Sequence, residues 1–295
     1  MNPPPSEAMG APAFDLAALS DIGNERANNE DSCGHFVESG TSVLFVVADG
    51  VGGYEGGEIA SAMAVELTLG TYRDSPAVWG PAKRLQRAVQ RANIEIHNRA
   101  MVVPELRRMA STLTAVVIDD GVLYGAHVGD CRLYLIRGGR IRQLTKDHTV
   151  VAERVRMGLM SAARARSHPE RSALSRSLGH ELIVSIDRLS MPLLADDRLL
   201  LCSDGLYNVL EERELQRMAD GPEAEEVCRR LIARANQRGT HDNLTAAVCI
   251  IGHLERSAQT RLQGSALFRL VCAASVPLTR AGWFGRVSAI FARSR

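Results

Sequence analysis

The chain has 295 residues, 35 Lys and Arg against 34 Asp and Glu, and an aromatic share of 4%. Balanced charge and few stacking rings argue against a nucleic-acid binder, so no nucleic-acid partner is expected. A hydrophobic share of 45% suffices for one sizeable core. The six cysteines, with no Cys-x-x-Cys pair, read as buried thiols of a reduced cytoplasm and exclude a zinc knuckle or a disulfide frame.

Residues 1–14, rich in Pro and Ala, predict a disordered extension, and their start has neither the basic end nor the apolar core of a signal peptide. An ordered domain is expected over 15–254. Strand-type runs occupy 43–48, 113–118, 122–128, 131–136, 182–189, 198–202 and 245–251. Short turns such as Asp119-Asp120-Gly121 and Gly138-Gly139 join several of them and favour antiparallel pairing. Helical periodicity covers 57–72, 81–101, 211–219 and 223–236; in the second, Leu85, Ala88, Val89, Ala92, Ile96 and Ala100 form an apolar stripe that leaves Arg84, Arg87, Arg91 and Glu95 outside it. These segregated strands and helices imply an α+β layered domain.

Residues 146–180 differ, with seven basic residues against Asp147, Glu153 and Glu170 in loop-like sequence with short helical pieces. Two readings stand for this segment, a solvated basic surface or a lid that meets phosphorylated substrates. The tail, 255–295, has arginines and apolar clusters but no uninterrupted run near the ~20 residues of a bilayer span. It is read as basic and amphipathic, lying on an anionic membrane surface, docking on a partner, packing against the domain or disordered.

The chemistry sits where apolar runs end. Phe45-Val46-Val47-Ala48 delivers Asp49 into a turn begun by Gly50, and Leu199-Leu200-Leu201-Cys202-Ser203 repeats the design at Asp204-Gly205. Asp130 follows the run 123–128, Asp242 precedes the run 246–251, and Arg26, Glu30 and Asp31 fall within six residues near the amino end. A single Asp-Gly is usually only a turn. Several acids at strand ends can instead converge on a hard divalent cation, which takes oxygen ligands from different segments.

These segments, in order, resemble the type 2C metal-dependent protein serine/threonine phosphatase (PPM) family, bacterial type. The resemblance runs from about Leu19 to Gly252 through 26–31, 48–61, Ser111-Thr112-Leu113-Thr114, Gly129-Asp130-Cys131-Arg132, Ser203-Asp204-Gly205 and Asp242-Asn243-Leu244-Thr245. It implies a central sandwich of two antiparallel β-sheets flanked by α-helices on both sides, with residues 146–180 as the mobile flap of bacterial members. It implies two Mn²⁺ or Mg²⁺ ions, with a third in bacterial relatives, and hydrolysis of phosphoserine and phosphothreonine by attack of a metal-bridging water, opposing a cellular kinase. Asp49 would bridge the ions with the Gly50 carbonyl as a further ligand, and Asp204 and Asp242 would complete the pair. Asp130 would share a third ion with Asp204, and Glu30 and Asp31 would bind or orient water at the metals.

Arg26 matches the family's phosphoryl-gripping arginine, whose planar fork suits the task; a surface ion pair with Glu30 is the competing reading. Thr112, Thr114 and Thr245 are expected to be core or hydrogen-bonding residues. One departure concerns Val51, where some members carry a histidine that protonates the leaving oxygen; His148, His168 and His241 are conceivable substitutes. The expected partners are phosphorylated proteins, including a serine/threonine kinase or its substrates, and the expected state is a cytoplasmic monomer, with membrane association through the tail left open. Two other functions compete, a catalytically silent phosphoprotein-binding module and a small-phosphoester metallohydrolase.

Overall fold

The computed structural model describes residues 13–52 and 56–252. Expectations for residues 1–12, Gly53, Cys272 and the tail lie outside these. Three strands open the domain: β1 (Phe14–Asp21), β2 (Asp31–Ser39) and β3 (Ser42–Val51). Helices α1 (Gly56–Asp74) and α2 (Gly80–Val102) follow, then β4 (Ala110–Ser111), β5 (Leu113–Asp119), β6 (Val122–Val128), β7 (Arg132–Arg137) and β8 (Arg140–Gln143). Segment 146–180 holds two short helices, α3 (Val150–Arg156) and α4 (Ala162–Arg166). The remainder is β9 (Asp187–Pro192), β10 (Arg198–Cys202), α5 (Asp204–Tyr207), α6 (Glu212–Met218), α7 (Ala224–Gln237) and β11 (Leu244–Ile251).

Two antiparallel sheets result. One runs β1-β11-β10-β7-β8 and the other β2-β3-β5-β6-β9, with β4 paired to β3. Alternation along a strand explains why the central runs are apolar throughout. In β3, Leu44, Val46 and Ala48 pack with α1 and α2 residues such as Ala60, Ala64 and Ile96, while Val43, Phe45 and Val47 on the opposite face are equally buried. In β10 and β11, Leu200, Cys202, Ala246 and Val248 pack with α7 residues such as Val227 and Leu231, leaving Leu199, Leu201, Ala247 and Cys249 buried on the other side. The α+β sandwich with outer helices therefore stands as the sequence implied.

The hairpin turns also follow the sequence. Asp120 and Gly121 both take positive φ (45° and 75°), as do Gly138 and Gly139 (54° and 66°), the geometry of a two-residue turn whose twist matches antiparallel strands. The stripe of α2 is buried from Leu85 to Ala100.

Four expectations need correction. The strand expected at 182–189 is β9 at Asp187–Pro192, fixed by pairing with β6 from Val122 to His127, while Leu182 and Ile183 stay exposed. Phe14, assigned to the disordered extension, is buried in β1 opposite Ile251. Arg84, placed on the solvent side of α2, is only 4% exposed. Its guanidinium makes two hydrogen bonds to Glu38 (3.0 and 2.8 Å) and lies over the Tyr72 ring, so the buried charge is paired with a counter-ion that itself reaches solvent. Finally, β1, β2 and β8 were not expected at all; β1 and β8 are edge strands of one sheet and β2 of the other.

Candidate active site

The strand register brings the acids to one end of the sandwich. Asp31, the first residue of β2, stands opposite Asp49 near the end of β3. In the other sheet Cys202 closes β10 opposite both Arg132 at the start of β7 and Ala246 near the start of β11. Asp130 just before β7, Asp204 just after β10 and Asp242 just before β11 therefore meet at that same end, and each acid of this group repels others across it.

Hydroxyls and amides hold the backbone beneath these carboxylates. The Thr112 hydroxyl accepts the Asp49 N–H at 2.9 Å, and the Asp49 carbonyl accepts the Thr112 N–H at 2.8 Å and the Ser111 hydroxyl at 3.1 Å. Ser203 links both sheets, its hydroxyl donating to Asp31 Oδ2 at 2.6 Å and accepting the Thr245 N–H at 3.0 Å. Asn208 Nδ2 donates to Asp204 Oδ2 at 3.1 Å. Asn243 is the anchor of the loop that carries Arg26, Glu30 and Asp31: its Nδ2 donates to the carbonyls of Ile22 (2.9 Å) and Asn28 (3.0 Å), and its Oδ1 accepts the Glu30 N–H (2.9 Å).

Two glycines bring the Gly50 carbonyl against the start of α1. A Cβ at Gly50 would lie 2.0 Å from the Gly57 carbonyl oxygen, and one at Gly57 would lie 2.5 Å from Glu30 Oε1 and 3.0 Å from the Gly50 oxygen. Backbone excludes a side chain at Gly50 while that approach is kept, whereas one at Gly57 would displace the Glu30 carboxylate. The Gly50 N–H meanwhile donates to the Glu30 carbonyl at 3.0 Å, tying the Asp49 turn to the Glu30 segment.

Crowding so many acids in a half-closed site opposes their ionisation. Burial, with Asp31, Asp204 and Asp130 adding repulsion, holds Asp49 well above the ordinary carboxylate range. Burial and then Asp204 do the same to Asp130. Asp31 is pushed up to about 7 by burial, against the stabilising hydroxyls of Ser203 and Thr245, and Asp204 to about 6 by burial and then by Asp242. Burial raises Glu30 too, against the pull of Arg26. A cluster of this kind calls for cationic charge.

Its donors are all oxygen, carboxylates plus the Gly50 carbonyl, which suits Mg²⁺ or Mn²⁺ and not a thiolate-seeking ion. No three described His, Cys, Asp or Glu side chains close tightly enough to enclose an ion unaided. Mg²⁺ keeps several waters and takes only one or two carboxylates, so an open ring of acids fits it better than a closed cage would.

Arg26 stands at the rim. Its Nη2 lies 2.7 Å from Asp242 Oδ1 and its Nε donates to the His241 carbonyl at 3.2 Å, so its ion pair is with Asp242 and not with Glu30. Arg26, Asp242 and Val51 are 44%, 37% and 45% exposed, which leaves the acid end open to solvent. Of the histidines considered for proton donation, His148 is fully buried against Gly129, His168 accepts the Glu170 N–H on the surface, and His241 pairs with Glu25 at 2.7 Å.

Sequence comparison decides the family: the model for protein phosphatase 2C matches residues 23–249. The chain belongs to the protein phosphatase 2C family. It is similar to the serine/threonine phosphatase stp of Listeria innocua, 36% identical over 230 residues that cover 77% of this chain and 91% of the relative. Among solved structures it is similar to the Mycobacterium tuberculosis serine/threonine phosphatase PstP/Ppp, with a TM-score of 0.73 at 36% identity over 81% of this chain and 99% of that one. The catalytic domain of PstP in complex with two manganese ions gives 0.72 at 34% identity, again over 81% and 99%. The matched span begins before Arg26 and ends after Asp242, so every acid described here lies within it.

Sequence reasoning named the acids and Arg26 but gave no role to Asn243, Ser203 or Gly57. Asn243 and Ser203 lay inside the quoted motifs, and their signal was that small polar residues at strand ends bond the backbone. For Gly57 the Gly56-Gly57 pair opening a helix was the available sign.

Proposed function

We propose that this protein is a metal-dependent protein serine/threonine phosphatase that removes phosphate from phosphoserine and phosphothreonine. The observation that carries this reading is the meeting of Asp31, Asp49, Asp130, Asp204 and Asp242 from separate chain segments, with depressed ionisation where a divalent cation would relieve it. The manganese found in PstP supports Mn²⁺ or Mg²⁺ as the ion.

Asp49 is proposed to bridge two ions, with the Gly50 carbonyl, Asp204 and Asp242 as further ligands. Asp130 and Asp204 would hold a third, and Glu30 and Asp31 would orient water at the metals. When bound, such ions acidify water to near-neutral pKa and offset charge on the transferring phosphoryl group. Thr112, Ser203 and Asn243 fix where the acids stand, since side chains locked by their own hydrogen bonds are what keeps a metal geometry. Arg26 uses Nε and one Nη on its neighbours and keeps its other donors for phosphoryl oxygens. With Val51 beside the turn and His148 buried, neither of these two positions supplies the proton for the leaving alkoxide.

The open rim at Arg26, Asp242 and Val51 favours a phosphate on a protein surface over a small enclosed phosphoester. We propose as substrates proteins phosphorylated by a cellular serine/threonine kinase. Five free thiols among the described residues support a reducing, cytoplasmic setting. Hydrolysis of phosphothreonine and phosphotyrosine peptides, each with Mn²⁺, Mg²⁺ or chelator, tests the reading. Phosphothreonine turnover that chelator abolishes is expected; chelator-resistant turnover would overturn it, and absence of turnover with every metal would favour a silent binding module.

A further inference from the structure

His148 is wholly buried, and the chemistry so far assigns it nothing. It pairs with Gly129 twice: its backbone N–H donates to the Gly129 carbonyl at 2.8 Å, and its Nδ1 lies 3.1 Å from the Gly129 nitrogen. A backbone N–H can only donate, so Nδ1 is the acceptor and the ring proton sits on Nε2. Nε2 finds no hydrogen-bond partner of good geometry and points at Asp187 Oδ2, 3.4 Å away. Asp187 is in turn held at 2.9 Å by Arg176.

The same residue closes the base of segment 146–180. The His148 carbonyl accepts the Ser175 N–H at 2.8 Å, Thr149 bridges to Leu174, and the Val150 N–H donates to Ala173 at 2.9 Å. On its other side Gly129 is pressed against Thr112. At a φ of +104°, an added Cβ would lie 2.5 Å from Thr112 Cβ. Thr112 is the residue whose hydroxyl holds the Asp49 N–H. One unbroken series of contacts thus runs from both legs of the segment through His148 and Gly129 to the turns bearing Asp130 and Asp49.

We propose that His148 is a positioning residue whose neutral imidazole clasps the Gly129-Asp130 turn and couples it to the base of segment 146–180. Loss of the Nδ1 acceptor leaves the Gly129 N–H without a partner in a dry site, loosens the turn and frees the segment's two legs together. The consequence for metal binding rests on the reading of Asp130 as a metal-holding carboxylate. The clasp itself does not.

The test uses the full chain with His148→Asn, His148→Gln and His148→Leu. Asn places an oxygen near the Nδ1 position, Gln places one nearer Nε2, and Leu offers no acceptor. Amide exchange of Gly129 by NMR, trypsin cleavage within 146–180 and Mn²⁺ titration by calorimetry are measured on each. In His148→Leu and His148→Gln, Gly129 exchange should quicken by about tenfold or more, the loss of one buried hydrogen bond. Cleavage should quicken in parallel and the weakest Mn²⁺ binding step should weaken, while His148→Asn stays near the parent in all three. If His148→Leu does not fold, the Asn and Gln pair carries the comparison. Folded variants in which Asn behaves like Gln, or in which Gly129 exchange is unchanged without the acceptor, would overturn the clasp. Faster Gly129 exchange with unaltered Mn²⁺ binding would overturn the metal role of Asp130 and leave the clasp standing.

Discussion

Asn243 sets how well the Arg26–Asp31 loop is held, and replacing it with leucine isolates that contribution. The side chain is 4% exposed and makes three hydrogen bonds, to Ile22, Asn28 and Glu30. Leucine keeps the same branched skeleton, with bulkier methyl ends, and removes all three. A net value near 1 kcal/mol per bond gives about 3 kcal/mol, and the half-buried setting of the partners, which lets water reach some of them, keeps the sum from rising further. Against a total stability of roughly 5–15 kcal/mol that is a large fraction. With a urea slope of roughly 2–3 kcal/mol per molar, the midpoint should fall by about 1 M. Turnover of a phosphothreonine peptide should fall as well, because Arg26 and Glu30 lose their fixed place. A midpoint within about 0.2 M of the parent, with turnover intact, would refute the anchoring argument.

Other outcomes follow from the same geometry. Glu38→Gln strips the counter-ion from buried Arg84 and should cost about 1–3 kcal/mol in urea unfolding, discounted for the partial exposure of Glu38, with specific activity unchanged. His127 is held down to about 4 by burial and then by His148, below its ordinary 6.5, so it folds as the neutral ring. Its contribution is complete above pH 6.5 and is lost as pH falls through 4; between pH 7 and 5 about 2 kcal/mol should disappear, and His127→Gln should show that much less acid sensitivity than the parent. Gly129→Ala forces a Cβ toward Thr112 at a positive φ and should lower the melting temperature along with activity; a fully stable, active variant would contradict the packing described.

Asp49, Asp130, Asp204 and Asp242 were readable because each sits beside a run of apolar residues that reads as a buried strand, as Phe45–Ala48 before Asp49 and Leu199–Cys202 before Asp204, whereas Glu30 and Asp31 came only with the motif order. Their convergence followed from the motif order, and the register of β2 on β3 and of β10 on β11 places them at one end. The edge strands were less legible. Asp31-Ser32-Cys33-Gly34-His35 lacks the alternation of a half-buried strand, and β2 exists because β3 offers it a full row of backbone partners. Arg84 was misplaced because helical periodicity ranks a guanidinium as polar and takes no account of Glu38, a residue 46 positions away that pairs with it. Asn243 escaped notice for a similar reason, since its three partners lie more than 200 residues off.

The central claim is that Asp49 organises a metal-dependent phosphatase site, and Mn²⁺ calorimetry together with phosphothreonine-peptide turnover on Asp49→Asn tests it most directly. The substitution keeps size and removes charge. Mn²⁺ affinity and turnover should each fall by at least about a hundredfold, beyond the loss seen when only an outer-shell partner is removed, in a protein whose unfolding midpoint without metal is unchanged or higher because a crowded acid is gone. An Asp49→Asn protein that binds Mn²⁺ and hydrolyses the peptide as the parent does would contradict the account.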